Sequence, residues 1–223
     1  MGEVENIKAR FQKRKTDKRV IQDSNSQFLY WMNCEQERRY RKILNKRFKD
    51  LSKINMLEIG AGGGDNLSVF YKMGIPWKNI WANELLADRG VLLKRNLHPD
   101  SHIEICNALD LSYKNQFDIV FQSTVFTSIL DENFKMNLAE KLVEMAKSNG
   151  IILWYDFIYD NPRNKDVKGI SKWEIKRLFP DKKIKYYNVT LAPPIGRRVG
   201  KFYNYFNNLF PFLRTHVIAV INK

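Results

Sequence analysis

Cysteine and long apolar stretches are both scarce in this chain of 223 residues. Cys34 and Cys106 are the only cysteines, and neither lies in a Cys-x-x-Cys pair or another zinc-ligand spacing. The sequence therefore predicts neither a disulfide framework nor a structural metal, which fits a reducing cytoplasm. No apolar stretch reaches the roughly 20 residues of a membrane-spanning helix, although residues 151–159 are strongly apolar. Residues 1–10 lack the apolar core of a signal peptide, so we expect a cytoplasmic protein with at most peripheral contact with the inner membrane.

Acidic residues are outnumbered by basic ones. The chain has 24 Asp and Glu against 38 Lys and Arg, which gives a formal net charge of +14 and a pI near 9.7. This balance favours acidic partners and leaves nucleic acid, an anionic membrane surface and phosphorylated metabolites open. Seven basic residues lie between Lys8 and Arg19, with only Asp17 opposing them. Such a run is typical of a solvated arm.

Glycine is concentrated in one place. Residues 56–67, MLEIGAGGGDNL, form a short apolar run that breaks into three consecutive glycines and then resumes a helix-compatible pattern. The pattern predicts a ligand-binding turn between a strand and a helix, because glycines allow positive φ and a close approach of the backbone to a ligand. Glu84 follows about 20 residues later at the end of a second apolar run, where a ribose-binding carboxylate is expected. Together these features indicate a nucleoside-containing cofactor.

Asp65 decides between two kinds of cofactor, because it stands where the dinucleotide pattern needs a third glycine. A carboxylate at a helix start competes with a bound pyrophosphate for the partial positive charge there. S-adenosylmethionine has no phosphate, and its sulfonium and ammonium groups suit an acidic neighbourhood. The Glu-x-Gly-x-Gly-x-Gly arrangement resembles the first motif of class I S-adenosylmethionine-dependent methyltransferases. The resemblance implies that the cofactor lies against Glu58, Gly60, Ala61, Gly62 and Asp65. The alternative is a tight turn with no ligand, which three entropically costly glycines disfavour.

Apolar runs alternate with helix-length amphipathic segments from residue 54 onward. This alternation predicts an α/β fold, a Rossmann-like and mostly parallel sheet with helices on both faces. The predicted strands are Asn55–Ile59, Asn79–Asn83, His102–Cys106, Phe117–Gln122 and Gly150–Ile158. The predicted helices are Asn66–Lys72, Ala87–Asn96, Glu132–Lys147 and Ser171–Phe179. Residues 148–150, Ser-Asn-Gly, are interpreted as the stop of the third helix.

The two ends of the chain complete the predicted organisation. Apolar residues recur at helical intervals between Ser26 and Lys49, which predicts one or two helices that cap the core. We therefore divide the chain into an arm and cap, residues 1–50, and a methyltransferase-like domain, residues 51–223. Two further strands are predicted at Lys185–Leu191 and Thr215–Ile221. The resemblance makes them strands six and seven of a seven-stranded sheet, with the last one antiparallel.

Ligands of an open α/β sheet gather beyond the carboxyl ends of its strands. The resemblance implies that Glu84, followed by Leu85, binds the ribose hydroxyls. It also implies that Asn107 and the backbone of Ala108 face the adenine; the family commonly has an acidic residue at the position of Asn107, and Asp110 is a nearby substitute. It further implies that the methionine portion and the transferred methyl lie near Gln122 and Ser123.

A general base would assist transfer to a hydroxyl. Asp156 is the first candidate because it interrupts an apolar run at a strand end, where burial raises a carboxyl pKa; the alternative is a structural carboxylate. His98, His102 and His216 are the runners-up. His102 and His216 lie at predicted strand starts, the wrong end of a parallel sheet, so both are disfavoured.

The acceptor is expected to lie over the loops that follow the fifth and sixth strands. Arg163, Arg197 and Arg198 are candidates for holding a phosphate or carboxylate, with Tyr155 beside them; the alternative for each arginine is a solvated surface position.

Residues 40–223 resemble bacterial class I methyltransferases found with surface-polysaccharide and O-antigen assembly. The segments that carry the likeness are LEIGAGGGDNL, FDIVFQSTVFTSIL, ILWYDFIYDNPRNKDVKGI, TLAPPIGRR and PFLRTHVIAVI. The resemblance implies methyl transfer to an oxygen of a sugar, a glycan or a phosphate attached to one, and hence an anionic small-molecule or glycan acceptor.

Three rival functions stay open. A nucleic-acid methyltransferase fits the net positive charge. Enzymes that methylate exocyclic base amines typically have an Asn/Asp-Pro-Pro-aromatic segment after the fourth strand, whereas this chain has Gln-Ser-Thr-Val at residues 122–125. Methylation of an RNA ribose or of a ring carbon therefore stays open. A peripheral membrane module fits an approximate helical stripe of Phe202, Phe206, Leu209 or Phe210, and Leu213. Such a stripe is more often a packed lid or core helix, and Pro211 would interrupt it. A nicotinamide dehydrogenase is disfavoured by Asp65.

Overall fold

The computed structural model describes residues 2–15, 27–162 and 164–223. Its strands are β1 Met56–Ile59, β2 Ile80–Glu84, β3 His102–Ile105, β4 Phe117–Ser123, β5 Ala146–Phe157, β6 Lys183–Leu191 and β7 Arg214–Asn222. They form one seven-stranded sheet in the order β3-β2-β1-β4-β5-β7-β6. The predicted α/β class and strand number are confirmed.

The strand directions determine which strand ends lie at the same edge of the sheet. β1 pairs in parallel with β2 and β4, β2 with β3, and β4 with β5, whereas β7 runs antiparallel to both β5 and β6. The antiparallel last strand is thereby confirmed. The ends of β1 to β6 and the start of β7 therefore share one edge, which we call the carboxyl edge.

His216 lies at this carboxyl edge, since it pairs with Phe157 on one side and Val189 on the other. The interpretation that disfavoured His216 as lying at the wrong end is wrong. A strand start is the far end of a parallel strand, but it is the near end of an antiparallel one.

Helices cover both faces of the sheet. They are α1 Glu3–Lys15, α2 Gln27–Arg47, α3 Asp65–Lys72, α4 Ala87–Asn96, α5 Glu132–Met145, α6 Lys172–Leu178, α7 Pro193–Val199 and α8 Tyr203–Leu209. One core packs α2, α3 and α4 on the sheet, and the other packs α5, α6 and Ile7 of α1 on the opposite face. Burial of both faces explains why the central strands read as continuous apolar runs.

The junction of α5 and β5 differs from the sequence prediction. The helix ends at Met145, and Ala146 already pairs with Phe117, followed by a register shift before Ile119. Gly150 therefore lies within the strand and does not stop a helix. A Cβ at this position would lie 2.9 Å from the carbonyl oxygens of Lys147 and Phe117, so glycine permits a close backbone approach at this irregularity.

The basic run between residues 8 and 19 is not a solvated arm where the structure describes it. Lys8–Lys15 belong to α1, whose Ile7 joins the main core and whose Phe11 packs against it. Arg10 donates to the Ser128 carbonyl oxygen at 3.0 Å, and Arg14 donates to that of Asp166 at 2.7 Å. Ile7 and Phe11 are only two apolar residues among many charged ones, so the sequence did not predict that this helix packs on the core. Lys18 and Arg19 lie outside the described residues.

The cap and the insertion before β7 are both helical. A single helix, α2, spans 21 residues and packs Tyr40, Ile43 and Leu44 on the sheet. The insertion, residues 192–213 between β6 and β7, folds into α7 and α8 with short 3-10 turns. Among the described residues, no helix combines the length and apolarity needed to cross a bilayer.

Candidate active site

The glycine turn lies between β1 and α3, as the sequence predicts. Gly60 has a φ of 69° and Gly62 a φ of 58°, a region that side chains with a Cβ rarely adopt. A Cβ on Gly60 would also lie 2.6 Å from Cγ2 of Val125, in the loop after β4. The turn therefore packs directly against the β4 loop, which brings the first and fourth strand ends together.

Glu84, at the end of β2, shapes this turn. Its exposed fraction is 3%, and it accepts hydrogen bonds from the backbone N–H groups of Gly62 at 2.8 Å and Leu86 at 2.9 Å. The two carboxylate oxygens retain further lone pairs for a ligand. The structure thus brings Glu84 to the glycine turn, while Asp65 lies exposed at the first position of α3.

Glu58 is the most unusual group of the turn. Its exposed fraction is 0%, and Oε1 accepts a hydrogen bond from Nδ2 of Asn66 at 2.7 Å, whereas Oε2 has no hydrogen-bond partner among the residues that the structure describes. Burial, the largest cause, raises the pKa of the Glu58 carboxyl well above its usual value, and Asp65 and Glu84 add to the rise. A buried carboxyl oxygen without a partner is costly unless a ligand supplies a cation or a donor.

A cavity of about 590 Å³ lies between α1 and the ends of β2 and β3. This volume lies within the usual range for small-molecule sites. The lining residues are Gly2, Glu3, Val4, Glu5, Lys8, Leu85, Ala87, Ile105, Cys106, Asn107, Asp110 and Phe134. Three carboxylates and one ammonium thus face it. Sequence reasoning missed the α1 wall, because no local pattern indicates which distant element covers a strand end.

Several of the predicted cofactor residues lie at this cavity. Leu85 and Asn107 line it, and Ala108 follows as a buried residue at the start of a short 3-10 helix. The Asn107 side chain accepts a hydrogen bond from the N–H of Leu109 at 3.2 Å and so caps that helix. Asp110, the predicted substitute, also lines the cavity.

Gln122 and Asp156 form a closed pair inside the protein. Both have an exposed fraction of 0%, and Nε2 of Gln122 donates to one Asp156 oxygen at 3.0 Å. The Thr127 hydroxyl donates to the other oxygen at 2.6 Å, and Gln122 accepts from the N–H of Val125. Burial, the largest cause, raises the pKa of Asp156 to about 7. Ser123, by contrast, is partly exposed at the end of β4.

A second buried polar group joins α2 to the carboxyl edge. Glu35 accepts hydrogen bonds from the Tyr203 hydroxyl at 2.7 Å and from the N–H of Thr190 at 3.0 Å. The hydroxyl groups of Thr190 and Tyr155 lie 3.0 Å apart. Sequence reasoning missed Glu35, although a carboxylate between Met32 and Tyr40 in the apolar stripe of α2 is a usable signal.

Tyr40 was also missed. Its ring packs between Phe70 and Phe121, its exposed fraction is 2%, and within the described part of the chain its hydroxyl has no hydrogen-bond partner. Burial, with smaller contributions from Tyr155 and Glu58, raises its pKa. Tyr40 therefore adds a second unpartnered polar atom close to the glycine turn.

The predicted acceptor residues are spread over the outer part of the site. Tyr155 is buried, and its ring stacks on His216 with centroids 5.3 Å apart. Burial lowers the pKa of His216 to about 4. Arg197 and Arg198 are exposed on α7, and the Arg197 guanidinium lies over the Phe28 ring. Arg163 lies outside the described residues.

No family model matches the chain, and no curated protein matches it either. Solved structures do. The Burkholderia thailandensis 1,6-didemethyltoxoflavin-N1-methyltransferase, solved with 1,6-didemethyltoxoflavin and S-adenosylhomocysteine, is 14% identical with a TM-score of 0.61; the match covers 87% of this chain and 81% of that one.

Two further structures match at similar levels. An S-adenosylmethionine-dependent methyltransferase from Mesorhizobium loti is 9% identical with a TM-score of 0.61, over 81% of this chain and 96% of that one. The [4+2]-cyclase SpnF is 12% identical with a TM-score of 0.59, over 83% and 80%. These likenesses show that the chain has the Rossmann-like fold of S-adenosylmethionine-dependent methyltransferases.

Proposed function

We propose that the protein is an S-adenosylmethionine-dependent methyltransferase. The observation that carries this proposal is the unpartnered Glu58 oxygen, buried beside a glycine turn that Glu84 holds in place. A ligand with an ammonium and a sulfonium fits such a site, whereas a pyrophosphate would meet several carboxylates. When bound, the cofactor supplies a methyl group activated by the positive sulfur.

Each predicted cofactor residue then has a physical role. The free lone pairs of Glu84 accept from ribose hydroxyls, while Leu85, Asn107 and Ala108 form the wall for the adenine. Glu58, with Tyr40 nearby, faces the cationic methionine portion. Gly60, Ala61 and Gly62 let the backbone approach the ligand, and Asp65 adds negative charge at the start of α3. Gln122 holds the β4 loop, and Ser123 lies partly exposed at the end of β4.

The proposed acceptor is an oxygen of a sugar, a glycan or a phosphorylated small molecule in bacterial surface-polysaccharide metabolism. Support comes from the sequence resemblance and from the exposed Arg197 and Arg198 after β6. Arg163 is proposed on its sequence position alone. The B. thailandensis enzyme acts on a small molecule, which is compatible with this class. The proposed place of action is the cytoplasm.

Asp156 is retained as the proposed general base, with a condition set by its surroundings. A pKa of about 7 suits proton abstraction near neutral pH. Both of its oxygens already accept hydrogen bonds inside the protein, so contact with an acceptor requires the β4 loop to move. If Asp156 is the base, Asp156→Asn should slow turnover by about 100-fold or more and change cofactor affinity much less.

The experiment has a binding arm and a transfer arm. Calorimetry should show that S-adenosylhomocysteine binds and that NADH does not. The reverse result would overturn the assignment of S-adenosylmethionine as the cofactor. A labelled methyl donor is then screened against sugars, sugar phosphates, lipid-linked glycans and tRNA. Label on a sugar or phosphate oxygen supports the proposed acceptor, whereas label only on tRNA favours the nucleic-acid rival. Cofactor binding without methyl transfer to any of these acceptors would indicate a different reaction, since the [4+2]-cyclase SpnF has a similar fold.

A further inference from the structure

The last part of the chain has an unusual charge pattern. Residues 182–223 contain eight Lys or Arg and no Asp or Glu. This stretch, which we call the basic segment, comprises β6, α7, α8 and β7. A surface built from it attracts anions, because the segment has no acidic side chain to offset its positive charge.

Large apolar side chains of the basic segment point into solvent. Phe202, Tyr205, Leu209 and Phe212 have exposed fractions of 57%, 65%, 54% and 75%. We call these four residues the aromatic patch. Ring contacts run from Tyr205 through the half-buried Phe206 and Phe210 to Phe212, each with centroids within 6.0 Å of the next, so Tyr205 and Phe212 belong to one series of contacting rings. Isolated exposed apolar residues are ordinary, but a contiguous group marks an interaction surface.

Helix α8 is held in this orientation by its polar side. Tyr203 is fully buried and donates its hydroxyl hydrogen to Glu35, and the side-chain oxygen of buried Asn207 accepts from Nε of Arg214 at 3.0 Å. The inward face thus makes specific hydrogen bonds while apolar residues stay outside. Because these bonds fix the helix, Tyr205 and Leu209, the two patch residues that α8 carries, cannot turn inward without breaking them.

Cations surround the aromatic patch. The Lys201 ammonium lies over the Phe202 ring at 5.4 Å, and the exposed Arg38 of α2 donates to the Asn204 side chain. Arg197 and Arg198 are exposed on the preceding helix. Aromatic residues with Lys and Arg beside them match the interface of an anionic bilayer, where rings enter the headgroup region and cations contact lipid phosphates.

We propose that the aromatic patch and its surrounding cations dock the protein on an anionic membrane surface. The charge selects a lipid surface over a second copy of the chain, because two facing copies would bring like-charged side chains together. Docking itself requires no cofactor. Arg197 and Arg198 are also proposed for the acceptor, so the cation test below uses Arg38 and Lys201, which have no part in the proposed methyl transfer.

The test is co-sedimentation with vesicles. Wild-type protein should sediment with phosphatidylcholine vesicles containing about 30% phosphatidylglycerol and at least about tenfold less with pure phosphatidylcholine. Combined substitution Phe202→Ser, Tyr205→Ser, Leu209→Ser and Phe212→Ser should weaken binding by about tenfold or more. Val91→Ser with Leu92→Ser removes two exposed apolar side chains of α4 and serves as the matched control, with binding unchanged.

The cations are tested separately. Arg38→Gln with Lys201→Gln should weaken binding to anionic vesicles, whereas Lys94→Gln with Arg95→Gln on α4 removes the same charge and should have a smaller effect. Circular dichroism and melting temperature verify that each variant folds. No binding by wild type, or equal binding by the aromatic-patch variant and the α4 control, overturns the proposal. So does concentration-dependent dimerisation that the aromatic-patch variant loses while vesicle binding is absent.

Discussion

The glycine-turn side of the carboxyl edge and the basic segment differ in the number of carboxylates that they carry. Glu58 and Glu84 flank the glycine turn, and Glu3, Glu5 and Asp110 line the neighbouring cavity together with Lys8; Arg10 pairs with Glu3 at 2.6 Å. We call this group of carboxylates the acidic crevice. The basic segment, by contrast, has no carboxylate of its own. The net charge of +14 therefore describes the exterior of the protein and is a poor guide to the ligand inside.

The difference teaches where each kind of partner belongs. Carboxylates that are buried and incompletely paired favour a cationic ligand at a defined place. Exposed cations attract many anions with little selectivity. We therefore expect the acidic crevice to determine cofactor identity and the basic segment to determine where the protein works.

The largest expected effect concerns Asp156, on the strand between the two regions. Its folded pKa of about 7 lies above the value near 3.9 of an unfolded chain, so the native state binds the extra proton. Stability should therefore fall as pH rises from about 4 to about 7, by at most on the order of 4 kcal/mol. Asp156→Asn should lack this component. Denaturant unfolding at pH 5 and pH 8 measures the difference, and an identical pH dependence in both proteins would contradict it.

The second effect concerns Glu84 and the strength of the acidic crevice. Glu84→Ala should weaken S-adenosylhomocysteine binding by about 10- to 150-fold, because charge-assisted hydrogen bonds to the ribose and the turn are lost. Glu140→Ala removes an exposed carboxylate of α5 and is the control. Calorimetry measures both, and a folded Glu84→Ala variant with unchanged affinity would remove the ribose assignment.

A smaller effect is expected at Glu58. Its raised pKa means that the ligand-free carboxyl must lose a proton when a cation binds, so affinity should increase with pH. Glu58→Gln keeps the acceptor for Asn66 but should bind about tenfold more weakly at high pH and show little pH dependence. Calorimetry in two buffers of different ionisation enthalpy should detect proton release in wild type alone. Equal proton release in the variant would assign the titration to another group.

The smallest effect concerns the salt dependence of binding, which should differ between the acidic crevice and the basic segment. Raising the salt from about 0.05 to about 0.5 M should change cofactor affinity by less than about twofold, since buried charges are weakly screened. Binding to anionic vesicles should fall steeply over the same range. A steep salt dependence of cofactor binding would mean that exposed charges hold the ligand.

Much of the fold followed from local pattern. The apolar run into the glycines predicted β1, the turn and α3, and the alternating segments predicted the other strands within a few residues. The predicted start of β5 was wrong because residues 148–150 have the composition of a helix stop. In the structure, Ala146 already pairs with Phe117, and the strand begins there. His216 was misjudged because strand direction is a property of the whole sheet.

The site was less accessible to sequence reasoning. The proposed cofactor residues could be selected from the sequence because one loop and neighbouring strand ends carry them. Tyr40, Glu35 and the α1 wall could not, since they reach the carboxyl edge from helices far away in the chain. A buried partner on a distant helix leaves at most a weak trace in the sequence, as the interruption of an apolar stripe by Glu35 does.

The hydrogen bond from the Gly62 N–H to Glu84 has a consequence for the thermodynamics of binding. Ordering a glycine-rich loop costs about 1–2 kcal/mol per residue in backbone entropy. Because the carboxylate already fixes this loop during folding, the ligand meets a preorganised surface, and its arrival should leave the hydrogen-exchange protection of residues 60–64 nearly unchanged.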